Sequence, residues 1–178
     1  MRSVPVLSAG HYVLRAWTLD DVDFVLEAAR DPEIARFSSV GMSVTPDDAR
    51  HWIEKRHSDD RLDWVIEDTS TPIGRVSLAH IDLNDEVAEV GYWVVADQRR
   101  RGVASSAVAT AESHAFHELG LVRLFIRHEP ENVASCALAE SRGYLAEGTQ
   151  RGAFTRAGAR RDLHVHGLLA TDEVDVRR

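Results

Sequence analysis

Apolar positions along the chain fall into short blocks whose spacing switches between strand-like and helix-like periods. After a turn at Gly10, Leu14-Arg15-Ala16-Trp17 alternates and reads as a first strand. Thr18 then stands as N-cap with Asp21 at the third helical position, a variant of the capping box. Val22, Val25, Leu26 and Ala29 predict the buried stripe of the helix that follows. At Asp31-Pro32 that helix stops, because the proline ring disfavours helical backbone in the residue before it. Thr45-Pro46-Asp47-Asp48 opens a second helix, with threonine as N-cap and proline at the first helical position, and Ala49, Trp52 and Ile53 face inward.

The period then changes to two. Trp64 to Glu67, Ile73 to Leu78 and Val87 to Val95 are three short runs separated by turns at Asp68 to Pro72 and near Asn84-Asp85, which predicts an antiparallel meander. A helix over Ser105 to Leu119, a strand over Val122 to Arg127, a short helix over Ser135 to Arg142 and two final strands complete the chain. In the last strand, Leu163, Val165 and Gly167 alternate with His164, His166 and Leu168. The order β-α-α-β-β-β-α-β-α-β-β predicts an α/β (α+β) domain with a mixed sheet and helices on its faces. Helix and strand alternate only in part, which argues against a regular doubly wound sheet.

Composition narrows the classes. A chain of 178 residues has the size of one domain, read here as 1–178 with a core at about 10–170, and a 44% hydrophobic content is enough for a packed core rather than disorder. Cys136 is the single cysteine and cannot form an internal disulfide. The apolar part of Met1 to Leu7 is too short for a signal peptide, and no apolar run reaches the length of a membrane span. A cytoplasmic protein without a membrane partner is expected. The net charge of −8 argues against nucleic acid as a partner. Arginines nevertheless gather at Arg99 to Arg101 and at Arg151, Arg156, Arg160 and Arg161, which is either a solvated basic face or a site for an anion.

The most informative stretch is Glu89 to Ala104. A strand runs through a turn of arginines and a glycine directly into a helix, so successive backbone N–H groups and the positive end of a helix dipole converge on one spot suited to a pyrophosphate. Gly102 lets a ligand approach the backbone, and Ala104 keeps the helix start uncrowded. The stretch lacks the lysine and hydroxyl residue of a nucleotide-triphosphate loop and the three glycines of a dinucleotide fold. Arg99-x-x-Gly102-x-Ala104 resembles the acetyl-CoA loop of the GNAT acetyltransferase superfamily. Leu14-Arg15-Ala16-Trp17, Glu89-x-Gly91-Tyr92-Trp93 and Asn132-x-x-Ser135 followed by Gly143-Tyr144 resemble its branch of ribosomal-protein N-terminal alanine and serine acetyltransferases.

The resemblance implies a largely antiparallel central sheet of six to seven strands, a splayed central strand and about four flanking helices. It also implies acetyl-CoA as cosubstrate and a primary amine as acceptor. Val94, Val95, Arg99, Arg100, Arg101, Gly102, Val103, Ala104, Ser105, Asn132 and Ser135 are the residues it assigns to the cofactor. Glu89 is the candidate general base, with His80 or a water relay as alternatives, and the opposing reading is a carboxylate facing solvent or paired with an arginine. Many superfamily members carry a tyrosine seven residues after the asparagine; here that position is Ala139. Ser135 is therefore the candidate donor to the leaving thiolate, its other reading being a helix cap, while Tyr144 matches a core aromatic. No metal is expected, since neither His114 with His117 nor His164 with His166 has a visible complete ligand set, and Cys136 has no catalytic constellation. The acceptor is expected between Asp31 and Thr45 and near Asp162. It is read as a protein or peptide N-terminal α-amine, with a small amine (antibiotic, polyamine or amino acid) or a non-catalytic acyl-CoA-binding module as alternatives; a homodimer is left open.

Overall fold

Gly10, with a φ of 67°, turns the chain so that a three-residue strand β1 (Leu7–Ala9) pairs antiparallel with β2 (Tyr12–Ala16) in a computed structural model of the protein. The structure describes residues 3–43, 45–156 and 158–172; Met1 and Arg2 of the N-terminal stretch read above lie outside them. Asp21 closes back on the backbone N–H of Thr18 at 2.9 Å, but it caps a single 3-10 turn, and helix α1 (Val22–Arg30) follows it. Ala28, rather than Ala29, joins Val25 in the buried stripe.

Asp31 ends α1 and at the same time caps a further helix. Its carboxylate accepts from the N–H groups of Glu33 and Ile34, and Pro32 takes the first position of α2 (Pro32–Phe37). Thr45 is the expected N-cap of α3 (Pro46–Glu54) and, with Asp48, also forms a capping box; the helix buries Ala49, Trp52 and Ile53. The meander follows as β3 (Leu62–Asp68), β4 (Thr71–Asp82) and β5 (Val87–Val94), antiparallel throughout. Then come α4 (Val103–His117), β6 (Arg123–His128), α5 (Val133–Ser141) and the long hairpin β7 (Leu145–Arg156) with β8 (Ala159–Leu169).

Among the described residues, eight strands form one sheet in the order β1-β2-β3-β4-β5-β6-β8-β7, antiparallel except for β5 with β6. Side chains alternate between its faces. Leu62, Trp64, Val76, Leu78, Val90 and Val94 pack with Ala107, Val108 and Ala111 of α4. Val65 and Trp93 belong to the opposite face, under Trp17, Val25 of α1 and Trp52 of α3. The mixed, mostly antiparallel sheet expected from the sequence is present, with one more strand (β1) and one more helix (α2) than the sequence pattern predicts. β5 pairs with β6 only from Val87 to Glu89, opposite Arg123 to Phe125. Beyond Glu89 the two strands part, and this splay positions the site.

Candidate active site

A cleft of about 640 Å³ fills the splay between β5 and β6. Backbone direction along β5 follows from two bonds. Val95 donates its N–H to the Ile73 carbonyl oxygen of β4 at 3.0 Å, whereas the Val94 carbonyl oxygen accepts from Arg99 on the other side. With a period of two, the N–H groups of Tyr92 and Val94 point away from β4, into the gap that β6 has left. Of the two valines assigned to the cofactor, Val94 thus presents its N–H to the cleft and Val95 turns back to the sheet.

The loop after β5 is shaped by Arg99. Its guanidinium donates to the Val94 carbonyl oxygen at 2.9 Å and to Asp31 at 2.6 Å, and it pairs with Glu33 at 2.9 Å. Burial works to raise the Asp31 carboxyl, but Arg99 and two backbone N–H groups outweigh it and hold it below the usual carboxylate range. Arg100 and Arg101 are exposed, and Arg101 reaches Gln98 at 3.3 Å. Arg100 and Gly102 both have left-handed backbone, at φ 58° and 79°. Gly102 is the N-cap of α4 and supplies no side-chain cap; the first helical bond is Ser106 N–H to the Gly102 carbonyl oxygen. The N–H groups of Val103, Ala104 and Ser105 therefore lack intrahelical partners. A Cβ at Gly102 would meet nothing within 4 Å, so the approach to these amides is open. Open amides at the start of a 15-residue helix fit a pyrophosphate.

Ser135 is buried in the first turn of α5. The capping role belongs to Asn132, whose side-chain oxygen accepts from the Ser135 N–H at 3.1 Å. The Ser135 hydroxyl is free for another partner and lies 2.8 Å from the Tyr92 hydroxyl, either oxygen being able to donate. Burial pushes the Tyr92 phenol up to about 12, against the opposing effect of the Ser135 contact. In the sequence Tyr92 is only one position of the Glu89-x-Gly91-Tyr92-Trp93 motif; the fold places it three residues past the last β5–β6 pair, inside the splay. Ala139 is buried and Tyr144 packs in the core.

Glu89 sits where the splay opens. Its two oxygens accept from Arg127 at 3.0 and 2.6 Å, and His80 Nε2 is 3.6 Å away. The carboxylate is thus paired with an arginine and flanked by the alternative base. That arginine is raised above its usual value mainly by its hydrogen bonds to Glu89. His80 has left-handed backbone, at φ 52°, where the β4–β5 register shifts. The far wall of the cleft includes Phe37 at the end of α2 with Ser38 and Ser39 after it, and Phe154, Arg156 and Leu163 of the β7–β8 hairpin. Arg156 bridges to Glu129 and to the Arg36 carbonyl oxygen, closing this end, while Asp162 accepts from Gly152 within the hairpin at 2.7 Å.

Two groupings were not visible in the sequence. Arg56, Arg61 and Arg75 surround the buried Asp63 at the cleft wall. His128, Cys136 and His166, from three different elements, bring ligand-capable atoms within 4.8 Å of one another, residue types that can ligate a metal ion. His114 and His117 are not part of this group. No helix among the described residues is long and apolar enough to cross a membrane.

Residues 11–144 match the family model described as an acetyltransferase (GNAT) domain. The p20 protein of Bacillus licheniformis, named an N-acetyltransferase, is 27% identical over 162 residues, covering 88% of this chain and 91% of that one. Among solved structures, RimL, a ribosomal L7/L12 alpha-N-protein acetyltransferase in complex with coenzyme A, superposes with a TM-score of 0.84 at 16% identity, covering 93% of this chain and 98% of RimL. MccE, a microcin C7 self-immunity acetyltransferase in complex with acetyl-CoA and AMP, does so with a TM-score of 0.81 at 20% identity, covering 90% and 93%. With its splayed sheet, its open helix start and a family match over most of its length, this chain belongs to the GNAT acetyltransferases.

Proposed function

We propose that the protein transfers an acetyl group from acetyl-CoA to a primary amine, most readily a protein or peptide N-terminal α-amine. The observation that carries this reading is the joining, at one splay, of open α4 amides, inward Tyr92 and Val94 N–H groups and a half-buried hydroxyl pair. The site fits acetyl-CoA, which supplies an activated acyl group when bound. The N–H groups of Val103, Ala104 and Ser105 would hold its pyrophosphate, and the exposed Arg100 and Arg101 add charge beside them. Arg99, fastened to Asp31 and Val94, shapes the loop instead of contacting the cofactor. The Tyr92 and Val94 N–H groups are donors for an extended arm or an acyl oxygen.

Tyr92 and Ser135 serve the departing thiolate. A thiol ionises near 8.5, so a phenol pushed up to about 12 does not surrender its proton to the thiolate. The pair acts as a hydrogen-bond donor that stabilises the leaving sulfur, and solvent completes protonation. On the opposite side Glu89, with His80 beside it, receives the ammonium proton of the acceptor directly or through water. An α-amine with a reference pKa near 8 is about a tenth neutral at pH 7, whereas a lysine near 10.4 is almost wholly protonated. One carboxylate already engaged by Arg127 therefore serves the α-amine more readily. RimL, whose fold this chain shares, is described as an α-N-protein acetyltransferase, in keeping with this choice. The test is competition among an N-terminal Ala or Ser peptide, its N-blocked lysine counterpart and an aminoglycoside, with products identified by mass. Preferential acetylation of either of the last two contradicts the acceptor reading and leaves acetyl-CoA use intact.

A further inference from the structure

Strand pairing puts Asp63 of β3, Ser77 of β4 and Gly91 of β5 on one rung, and Val65, Arg75 and Trp93 on the next. Paired residues share a face, and Trp93 with Val65 identifies it as the one under α1 and α3. Glu89, two residues from Gly91, is on the same face. Asp63 is buried there and accepts from Arg75 at 2.8 and 2.6 Å, from the Trp17 indole at 2.9 Å and from Arg61 at 3.3 Å. Arg56 approaches the same carboxylate at 3.9 Å while lying on the Trp52 ring at 4.4 Å. A side chain at Gly91 would intrude here, its Cβ lying 3.1 Å from Ser77 Oγ and 3.7 Å from Arg75 Nη1.

Three guanidinium groups thus share one buried carboxylate. Their side chains are only 10% to 17% exposed, yet all three line the cleft. Burial first, and then repulsion from Arg75, pushes Arg56 down to about 10, against the opposing pull of the Asp63 carboxylate. Asp60 also acts on Arg61, but it is exposed and takes the Ser58 hydroxyl at 2.6 Å. The other cleft arginines are answered: Arg127 by Glu89 and Arg156 by Glu129. Secluding cations beyond their counter-charge is costly unless an anion completes the set, and planar guanidiniums present paired donors that match an oxyanion.

We infer that the acceptor amine carries an oxyanion, a carboxylate or a phosphate, which seats against Arg56, Arg61 and Arg75. The inference rests on the reading of this cleft as an acceptor site. A rung spacing of about 7 Å separates the Glu89 and Gly91 positions. That distance suits an amine whose anion is about one residue away, such as an N-terminus followed by an acidic side chain, or a short phosphate-bearing amine. It disfavours a polycation.

The test uses matched probes in the presence of coenzyme A: Ala-Asp amide against Ala-Asn amide, and phosphoethanolamine against ethanolamine. Calorimetry reads affinity, and thiol release from acetyl-CoA reads turnover. At least one anionic probe is expected to bind about tenfold or more tighter than its neutral match, and the arm that shows this identifies carboxylate or phosphate. In Arg61→Gln and, separately, Arg56→Gln, both of which leave the Arg75–Asp63 pair in place, the preference should shrink to within about twofold; circular dichroism checks that each variant is folded. Equal binding of both pairs, or a preference that survives in both folded variants, overturns the inference. Anion-selective binding without thiol release from any amine upholds the anion site and contradicts the proposed transferase reaction instead.

Discussion

Ser135 owes its availability to Asn132. Because the asparagine caps α5, the serine hydroxyl is left to meet Tyr92 at 2.8 Å in a half-buried setting, where a hydrogen bond counts for more than in open water. Ser135→Ala and Tyr92→Phe are each expected to lower turnover by about tenfold or more while acetyl-CoA affinity measured by calorimetry changes little. Full turnover in both variants would reduce the pair to packing. Glu89 calls for a different readout. Glu89→Gln should displace the acidic limb of the pH–rate profile, and an unchanged rate and profile would move the base to His80 or to water. At this scale the sequence was partly legible. Glu89, Ser135 and Asn132 stood out through motif spacing, and the fold brings all three to one cleft. Tyr92 did not stand out as a polar group, since a tyrosine between a glycine and a tryptophan on a strand reads as packing until the splay is known.

Helix starts carry the next level. Thr45-Pro46 and Asp31-Pro32 are the same signal, an N-cap followed by proline at the first helical position, yet only the first reads plainly as a beginning. Asp31 also ends α1, and two boundaries one residue apart look from the sequence like a single stop. β1 escaped for a related reason: three residues are too few to show a period of two, and pairing through Gly10 makes the strand. Asp31 fastens the arginine that shapes the cofactor loop, and Asp31→Asn keeps a capping oxygen while removing the charge opposite Arg99. We expect a loss of about 1 kcal/mol at pH 7 by denaturant unfolding. The native carboxyl is depressed, so its contribution is present above the unfolded value near 3.9 and is lost as pH falls through the lower folded value. The two stability curves should converge below about pH 4; parallel curves would mean that the pair adds nothing. Gly102→Glu places bulk and negative charge at the open amides of α4 and should abolish acetyl-CoA binding by calorimetry. Arg100→Ala should weaken it by roughly 1 kcal/mol. Unchanged affinity in the glycine variant would remove the loop from the cofactor site.

At the scale of the molecule, the splay lies between two faces of the sheet: α4 and α5 with the hydroxyl pair on one side, α1 to α3 with Glu89 and the arginine group on the other. A protein of net charge −8 carries a locally cationic cleft wall, which bulk charge conceals. Arg56, Arg61 and Arg75 lie on a helix end, a loop and a strand, and only the register that sets Asp63 opposite Ser77 unites them; no linear spacing encodes that register. The same holds for His128, Cys136 and His166. The succession of elements along the chain and most local caps were legible because they depend on neighbours in sequence, whereas these groups depend on pairings across the sheet. The most direct measurement incubates the protein with acetyl-CoA and an N-terminal Ala or Ser peptide bearing an acidic second residue, follows free thiol, and locates the modification by mass. Amine-dependent thiol release with one acetyl group on the N-terminal nitrogen, lost in Gly102→Glu, is the expected result. Bound acetyl-CoA with no thiol released, for this peptide or for any amine, would contradict acetyl transfer by this cleft.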